Sequence, residues 1–244
     1  MGRMRGWTGW VGALVLGLVG CGPITPIPPG DVNGGDAGLP PHEMPPTATS
    51  MWPLTAGSTW TYAIDDPDPL KGKFEKVVTV VGEEPIPGMN GTAVVTKSVQ
   101  LRTPQLEEKS WQLVSGGVVF RVREEDRKDG VLARVMTWQP TVMKSLAEAQ
   151  PQGWSHAATV IESELDGNGV LVDQKQKEFV WTVEAVNETV TTAAGTWNNA
   201  IRLRRGRPDK VDWETRTYWL VPGVGKVLET GERREELLRY DVRP

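Results

Sequence analysis

The chain has 244 residues, of which 27 are basic and 31 acidic, giving a formal net charge of −4, and 39% of it is hydrophobic. That is enough apolar material for a sizeable core, and the mildly acidic balance gives no electrostatic footing for nucleic acid as a partner. A single cysteine excludes an internal disulfide, so the fold must rest on packing rather than on staples.

Residues 1–20, MGRMRGWTGWVGALVLGLVG, have the layout of an export signal: Arg3 and Arg5 precede an apolar stretch from Trp10 to Val19. The stretch is shorter than the ~20 apolar residues a bilayer span needs. It ends in Leu18-Val19-Gly20-Cys21, which resembles the lipobox of bacterial lipoproteins. A small residue before the cut lets a peptidase reach the backbone, and only a thiol can form the thioether to diacylglycerol. Cleavage is therefore expected between Gly20 and Cys21. Cys21 is the expected lipid-attachment residue, carrying diacylglycerol and an acyl chain such as palmitate, and no other cofactor is expected. Two or three chains anchor a protein stably where one does not. Gly22 follows; by resemblance to enterobacterial lipoproteins, where aspartate there favours the inner membrane, this implies outer-membrane delivery. Removing residues 1–20 leaves 25 basic against 31 acidic residues, a net charge of −6.

From Gly22 to Ser50, proline and glycine dominate, which predicts a flexible, partly polyproline-like tether over residues 21–50. His42 lies in it and is expected to be solvated. The folded domain is expected over residues 51–244. Its pattern is strand-like throughout, with candidates at Thr59–Ile64, Lys76–Gly82, Thr92–Leu101, Ser110–Val114, Val118–Arg123 and Leu132–Trp138. Further candidates are Ala157–Leu165, Val170–Val186, Ala200–Arg205, Thr215–Leu220, Lys226–Glu229 and Leu237–Val242. Gly116-Gly117 and Asp166-Gly167-Asn168-Gly169 read as hairpin turns. Only Val142–Ala149 reads as helix, stopped by Pro151. The expected fold is all-β: a single antiparallel β domain, built as a curved sheet, open half-barrel or sandwich, with at most one short helix.

Catalytic chemistry finds little to stand on. His156 is the sole histidine after Met51, and no Gly-x-Ser-x-Gly elbow accompanies it. One histidine and no cysteine leave too few ligands for zinc, so no metal site is expected. The run from Glu164 to Gly169 is like a calcium loop only in outline, because a twelve-residue count reaches Lys175 or Lys177 where a glutamate is required. Arg202, Arg204, Arg205, Arg207 and Lys210 form the densest basic run, with the even positions expected on a solvated strand face opposite Ile201 and Leu203. Nine tryptophans follow the leader. They suit a wide core, and Trp60, Trp181, Trp197 and Trp219 are the candidates for an apolar ligand groove.

Three segments carry a resemblance. Trp52–Tyr62 (WPLTAGSTWTY), Ala194–Ala200 (AGTWNNA) and Tyr218–Val227 (YWLVPGVGKV) are similar to the PLxxGxxWxY, AGTFxNA and YWxxPGVGxVK motifs of an uncharacterised, myxobacterial-type bacterial lipoprotein family; the closing Glu236–Tyr240 (ELLRY) fits the same pattern. The resemblance implies a β-rich lipoprotein domain without an evident catalytic group. The expected function is a non-enzymatic binding or scaffold module in the cell envelope, held to the membrane by its lipid and engaging an envelope protein, polymer or lipid. The alternative is a carrier of lipid or another hydrophobic ligand in an apolar groove.

Overall fold

The computed structural model describes Leu39 and residues 42–210 and 215–244. The signal segment, Gly20, Cys21 and Trp213 lie outside the described residues. Twelve strands follow one another: β1 (Thr59–Asp65), β2 (Lys73–Pro85), β3 (Thr92–Leu101), β4 (Leu106–Ser115), β5 (Val118–Lys128) and β6 (Val131–Leu146), then β7 (Ser155–Asp166), β8 (Leu171–Thr192), β9 (Gly195–Gly206), β10 (Arg216–Val221), β11 (Gly225–Thr230) and β12 (Arg234–Asp241). Each pairs antiparallel with its chain neighbours, and β1 pairs with β12 from Thr59↔Asp241 to Asp65↔Arg234, closing the sheet into a barrel. Closure leaves the sheet without a free edge strand among the described residues.

Every predicted strand is present, and most are longer than expected. β4 starts four residues earlier than predicted, at Leu106-Glu107-Glu108-Lys109, and β5 runs on through Glu124-Glu125-Asp126-Arg127. These charged stretches read as strand ends in sequence because both faces are polar there. The predicted helix at Val142–Ala149 does not form. Its residues complete β6 as far as Leu146, where Val118↔Leu146 and Phe120↔Met143 are paired to β5. Alternate side chains of this segment reach two surroundings, a pattern that mimics a helical stripe over so short a window. Pairing between β6 and β7 ends at Gln139↔Ile161, next to Pro140, which has no N–H to give the ladder.

The chain enters β1 from the end of the barrel where the loops after the even-numbered strands lie, and the residues before β1 seal that end. Residues 42–50, expected within the tether, instead pack on the barrel. Glu43 N donates to Val114 O at 2.8 Å, and His42 Nδ1 accepts from Val114 N at 2.9 Å, so His42 is not the solvated side chain expected. Ser50 and Met51 are buried. Met51 N donates to Ala147 O at 2.9 Å, and Gly223 N donates to Ser50 O at 2.9 Å. Gly223 has φ +72°, and a Cβ there would stand 2.9 Å from Ala48 O, so only glycine lets the turn between β10 and β11 pass this close beneath the strap. Two of the sequence motifs therefore meet: Trp60 Nε1 donates to Val224 O at 2.6 Å, and Pro53 lies against Gly225.

Apolar packing is concentrated toward this sealed end. One cluster joins Leu54, Trp60, Tyr62, Val80, Val94 and Leu237; a second joins Met51, Trp138, Met143, Leu146, Trp181 and Leu203. A third, around Trp111, Val95 and Leu113, is met by Leu39.

Candidate functional site

Eight strands closed into a barrel are filled by their own side chains, whereas larger barrels leave space. Twelve strands here enclose a lumen of about 660 Å³. Trp52, Pro53 and Trp60 lie at its sealed end, and at the other end it reaches Arg127 and the half-exposed Glu232. Strand parity puts charge inside: Lys76 shares a face with Val78 and Val80, Glu108 with Gln112, and Arg205 with Leu203. Among the described residues lining the lumen, eleven are cationic and eight anionic, so the chamber is positive although the chain is negative.

The most buried charges are tied in one network. Glu235, 1% exposed, accepts from Lys226 at 2.6 Å, Arg233 at 2.6 Å, and Lys76. Lys226 also pairs with Glu229, which accepts from Arg216 at 3.5 Å. Burial alone would raise the Glu235 carboxyl. Lys226, Lys76 and Arg233 outweigh it and hold that carboxyl well below the usual carboxylate range. Burial likewise opposes charge on Lys226, and Glu229 and Glu235 overcome it to push the ammonium upward.

Across the lumen, Glu108, Glu124 and Asp126 bring carboxylate oxygens within 4.8 Å of one another. Glu124 is paired with Arg121, and Asp126 accepts from Arg134 Nε at 2.8 Å, so guanidinium groups of the chain itself engage two of the three. Burial pushes Glu124 and Asp126 up; Glu108 also meets a burial penalty, which Lys144 and Arg121 outweigh to bring it down. Lys144 makes no ion pair at contact distance among the described residues, and burial lowers it to about 8.

The wall formed by β8, β9 and β10 is different in kind. Arg205 on β9 is the register partner of Arg216 on β10 and of Trp181 on β8. Its guanidinium lies over Phe179 at 5.6 Å and Trp181 at 5.9 Å. Arg205 makes no hydrogen bond or ion pair among the described residues, and its Nε is buried without an acceptor. An unpaired buried polar group costs about 1–3 kcal/mol, and more when charged. Burial holds this guanidinium below its ordinary range, and Arg216 and Arg121 repel it further.

The four tryptophans expected to line a groove do not gather in one. Trp60 lines the lumen and is anchored by the Val224 carbonyl. Trp181 is 2% exposed and stacks on Tyr218 with ring centroids 5.6 Å apart. Trp197 lies near Tyr240, at 6.4 Å, and Trp219 donates to Glu188 at 2.9 Å. The last two are half-buried against the cluster that holds Trp60, and neither lines the lumen. His156 stacks on Trp154 at 6.2 Å and meets the edge of Phe120; among the described residues no acid or nucleophile is hydrogen-bonded to it. Asp166 spends its carboxylate on its own turn, accepting from Asn168 N and Val170 N at 2.9 Å, as a hairpin requires.

The basic run divides by parity. Arg202 and Arg204 face outward to Glu184, as expected, whereas Arg205 and Arg207 continue the inward face of Ile201 and Leu203. Arg207 is paired with Asp209 at 2.7 Å. Arg205 is the residue that sequence reasoning missed. The signal was available: position 205 has the parity of the two apolar residues, not that of the exposed arginines.

No protein-family model and no curated protein matches the chain. Among solved structures it is similar to a Bacteroides fragilis protein described as exported and of YmcC-like fold. That match has 15% identity and a TM-score of 0.47, and covers 79% of this chain and 99% of that one. It is also similar to a Parabacteroides distasonis protein described as a lipoprotein, at 14% identity and a TM-score of 0.42, covering 80% of this chain and 99% of the other. Neither likeness decides the role of a residue here.

Proposed function

We propose that this protein is a lipid-anchored envelope lipoprotein that acts as a non-enzymatic binding module, with the barrel lumen as its ligand chamber. The leader and the Leu18-Val19-Gly20-Cys21 lipobox support the anchor. The observation that carries the binding role is the lumen itself, about 660 Å³, sealed at one end and walled by charged side chains. That volume lies in the range of small-molecule sites, about 300–1,000 Å³. A charged wall recognises a polar ligand, and the apolar groove of a lipid carrier is not what the described residues build.

The outer faces agree with a tethered rather than a spanning barrel. Membrane-spanning barrels carry an apolar band outward. Here the exposed face of β8 presents Gln174, Gln176 and Glu178, and that of β9 presents Arg202 and Arg204. Outer-membrane residence is the reading that Gly22 supports under the sorting rule described above.

Replacing Cys21 with alanine is expected to abolish labelling by a palmitate analogue, leave full-length precursor, and release the protein from the membrane fraction. Labelling that persists in Cys21→Ala would remove the anchor from this reading.

A further inference from the structure

Among the described residues, five buried side-chain polar atoms lack a partner, and none is an oxygen. One, His42 Nε2, belongs to the strap. The other four are nitrogen donors on or beside one region of the lumen: Arg121 Nε, Trp181 Nε1, Arg205 Nε and Arg216 Nε. Buried donors are in surplus over buried acceptors here, so this wall is short of acceptor oxygens.

Charge points the same way. Arg205 and Arg216 sit directly opposite on adjacent strands, and like charges so placed destabilise the pair. Arg216 is compensated by Glu229 and Glu232, and Arg121 by Glu124. Arg205 has no carboxylate in contact among the described residues; it has the faces of Phe179 and Trp181, with Tyr218 and Glu229 acting at longer range. A buried cation held without a counter-charge works against folding unless something else supplies the anion.

We propose that this wall is a phosphate-binding subsite, in which phosphoryl oxygens of the ligand accept from the terminal nitrogens of the Arg205 guanidinium, with the Arg121 and Arg216 cations beside it adding attraction. The proposal rests on the reading of the lumen as a ligand chamber and names the chemistry of its ligand. A carboxylate presents two oxygens in a single plane. A phosphoryl group presents three oxygens around a tetrahedral centre and can engage forks arriving from different strands. The aromatic faces behind Arg205 fix the plane of its guanidinium while leaving its terminal nitrogens to the chamber. The phosphate could be that of a soluble phosphomonoester or of a lipid headgroup, since either would present the same oxygens.

The test is calorimetric titration of the full-length protein in detergent with inorganic phosphate at low ionic strength, using the wild type and Arg205→Gln. Saturable binding is expected in the wild type, weakened at least tenfold in the variant. Thermal melting keeps the test independent of folding defects. Without phosphate, Arg205→Gln should melt no lower than the wild type, because an uncompensated buried charge has been removed. Phosphate should raise the melting temperature of the wild type alone.

Competition by glycerol 1-phosphate would identify a soluble phosphomonoester as the source. Competition by phosphatidylglycerol vesicles, without competition by glycerol 1-phosphate, would identify a headgroup; either result supports the subsite. Absence of phosphate binding, undiminished binding in Arg205→Gln, or equal displacement by acetate would overturn it. Those results would leave the chamber itself standing, since a ligand of other chemistry found in the lumen is read by mass and not by this titration.

Discussion

Replacing Glu235 with glutamine is expected to lower stability by about 3–5 kcal/mol, because it strands Lys76, Lys226 and Arg233 around a neutral amide inside the barrel. In a domain of this size that corresponds to a fall in melting temperature of about 6–20 °C. The effect should also depend on pH in a fixed direction. The folded-state carboxyl is depressed, so its stabilisation is fully present above the unfolded value of about 4.3 and is lost as pH falls below it. The gap between wild type and Glu235→Gln should therefore be constant near neutrality and narrow under acid. Melting curves from pH 3 to pH 7 measure both features. A gap that widens on acidification would show that Glu235 is not held as the charged partner of those three cations.

Trp60→Ala is the second substitution with a large expected effect. Trp60 is 6% exposed and joins the strap, the wall of the lumen and the turn between β10 and β11. Truncating a buried tryptophan costs about 3–5 kcal/mol, and the Val224 carbonyl left without its donor adds about 1 kcal/mol or more. Trp60→Phe separates the two contributions, since it keeps most of the buried ring and loses only the N–H. Chemical denaturation should place Trp60→Phe between wild type and Trp60→Ala. If the two variants were equally unstable, the hydrogen bond rather than the packing would be holding this corner.

Why the strands were legible and the lumen was not has a physical answer. Thr92–Leu101 was fixed to the residue by its β-branched run between Gly91 and the Arg102-Thr103-Pro104 break, and the two glycine-bearing hairpins turn where the sequence puts them. Closure is a different matter. The pairing of β1 with β12 joins residues about 180 positions apart, and nothing local in Thr59–Asp65 says that Arg234–Asp241 lies beside it. Charge misleads for a related reason. In an ordinary sheet a charged position marks the solvated face, so Lys76, Glu108, Arg205 and Glu235 read as surface. In a barrel wide enough to hold a chamber they are the inner wall. The proline-rich strap was misread because composition reports the missing apolar area, and not the hydrogen bonds that Glu43, Ser50 and Met51 form with the barrel.

The candidate groove shows the same limit. Tryptophan alone does not distinguish a ligand face from a core, and parity shared with a charged neighbour would have served better. Trp181 and Arg205 are register partners on one wall, whereas Trp197 and Trp219 are occupied by Tyr240 and Glu188.

The measurement that tests the central claim most directly is native mass spectrometry of the full-length protein, released in mild detergent from the envelope of the cell that makes it. A lumen that serves as a ligand chamber predicts lipidated protein carrying a small polar species, lost when Arg205 is replaced by glutamine. Lipidated protein at its bare mass, unchanged by Arg205→Gln, would contradict that claim and leave the charged lumen as a structural feature of the barrel alone.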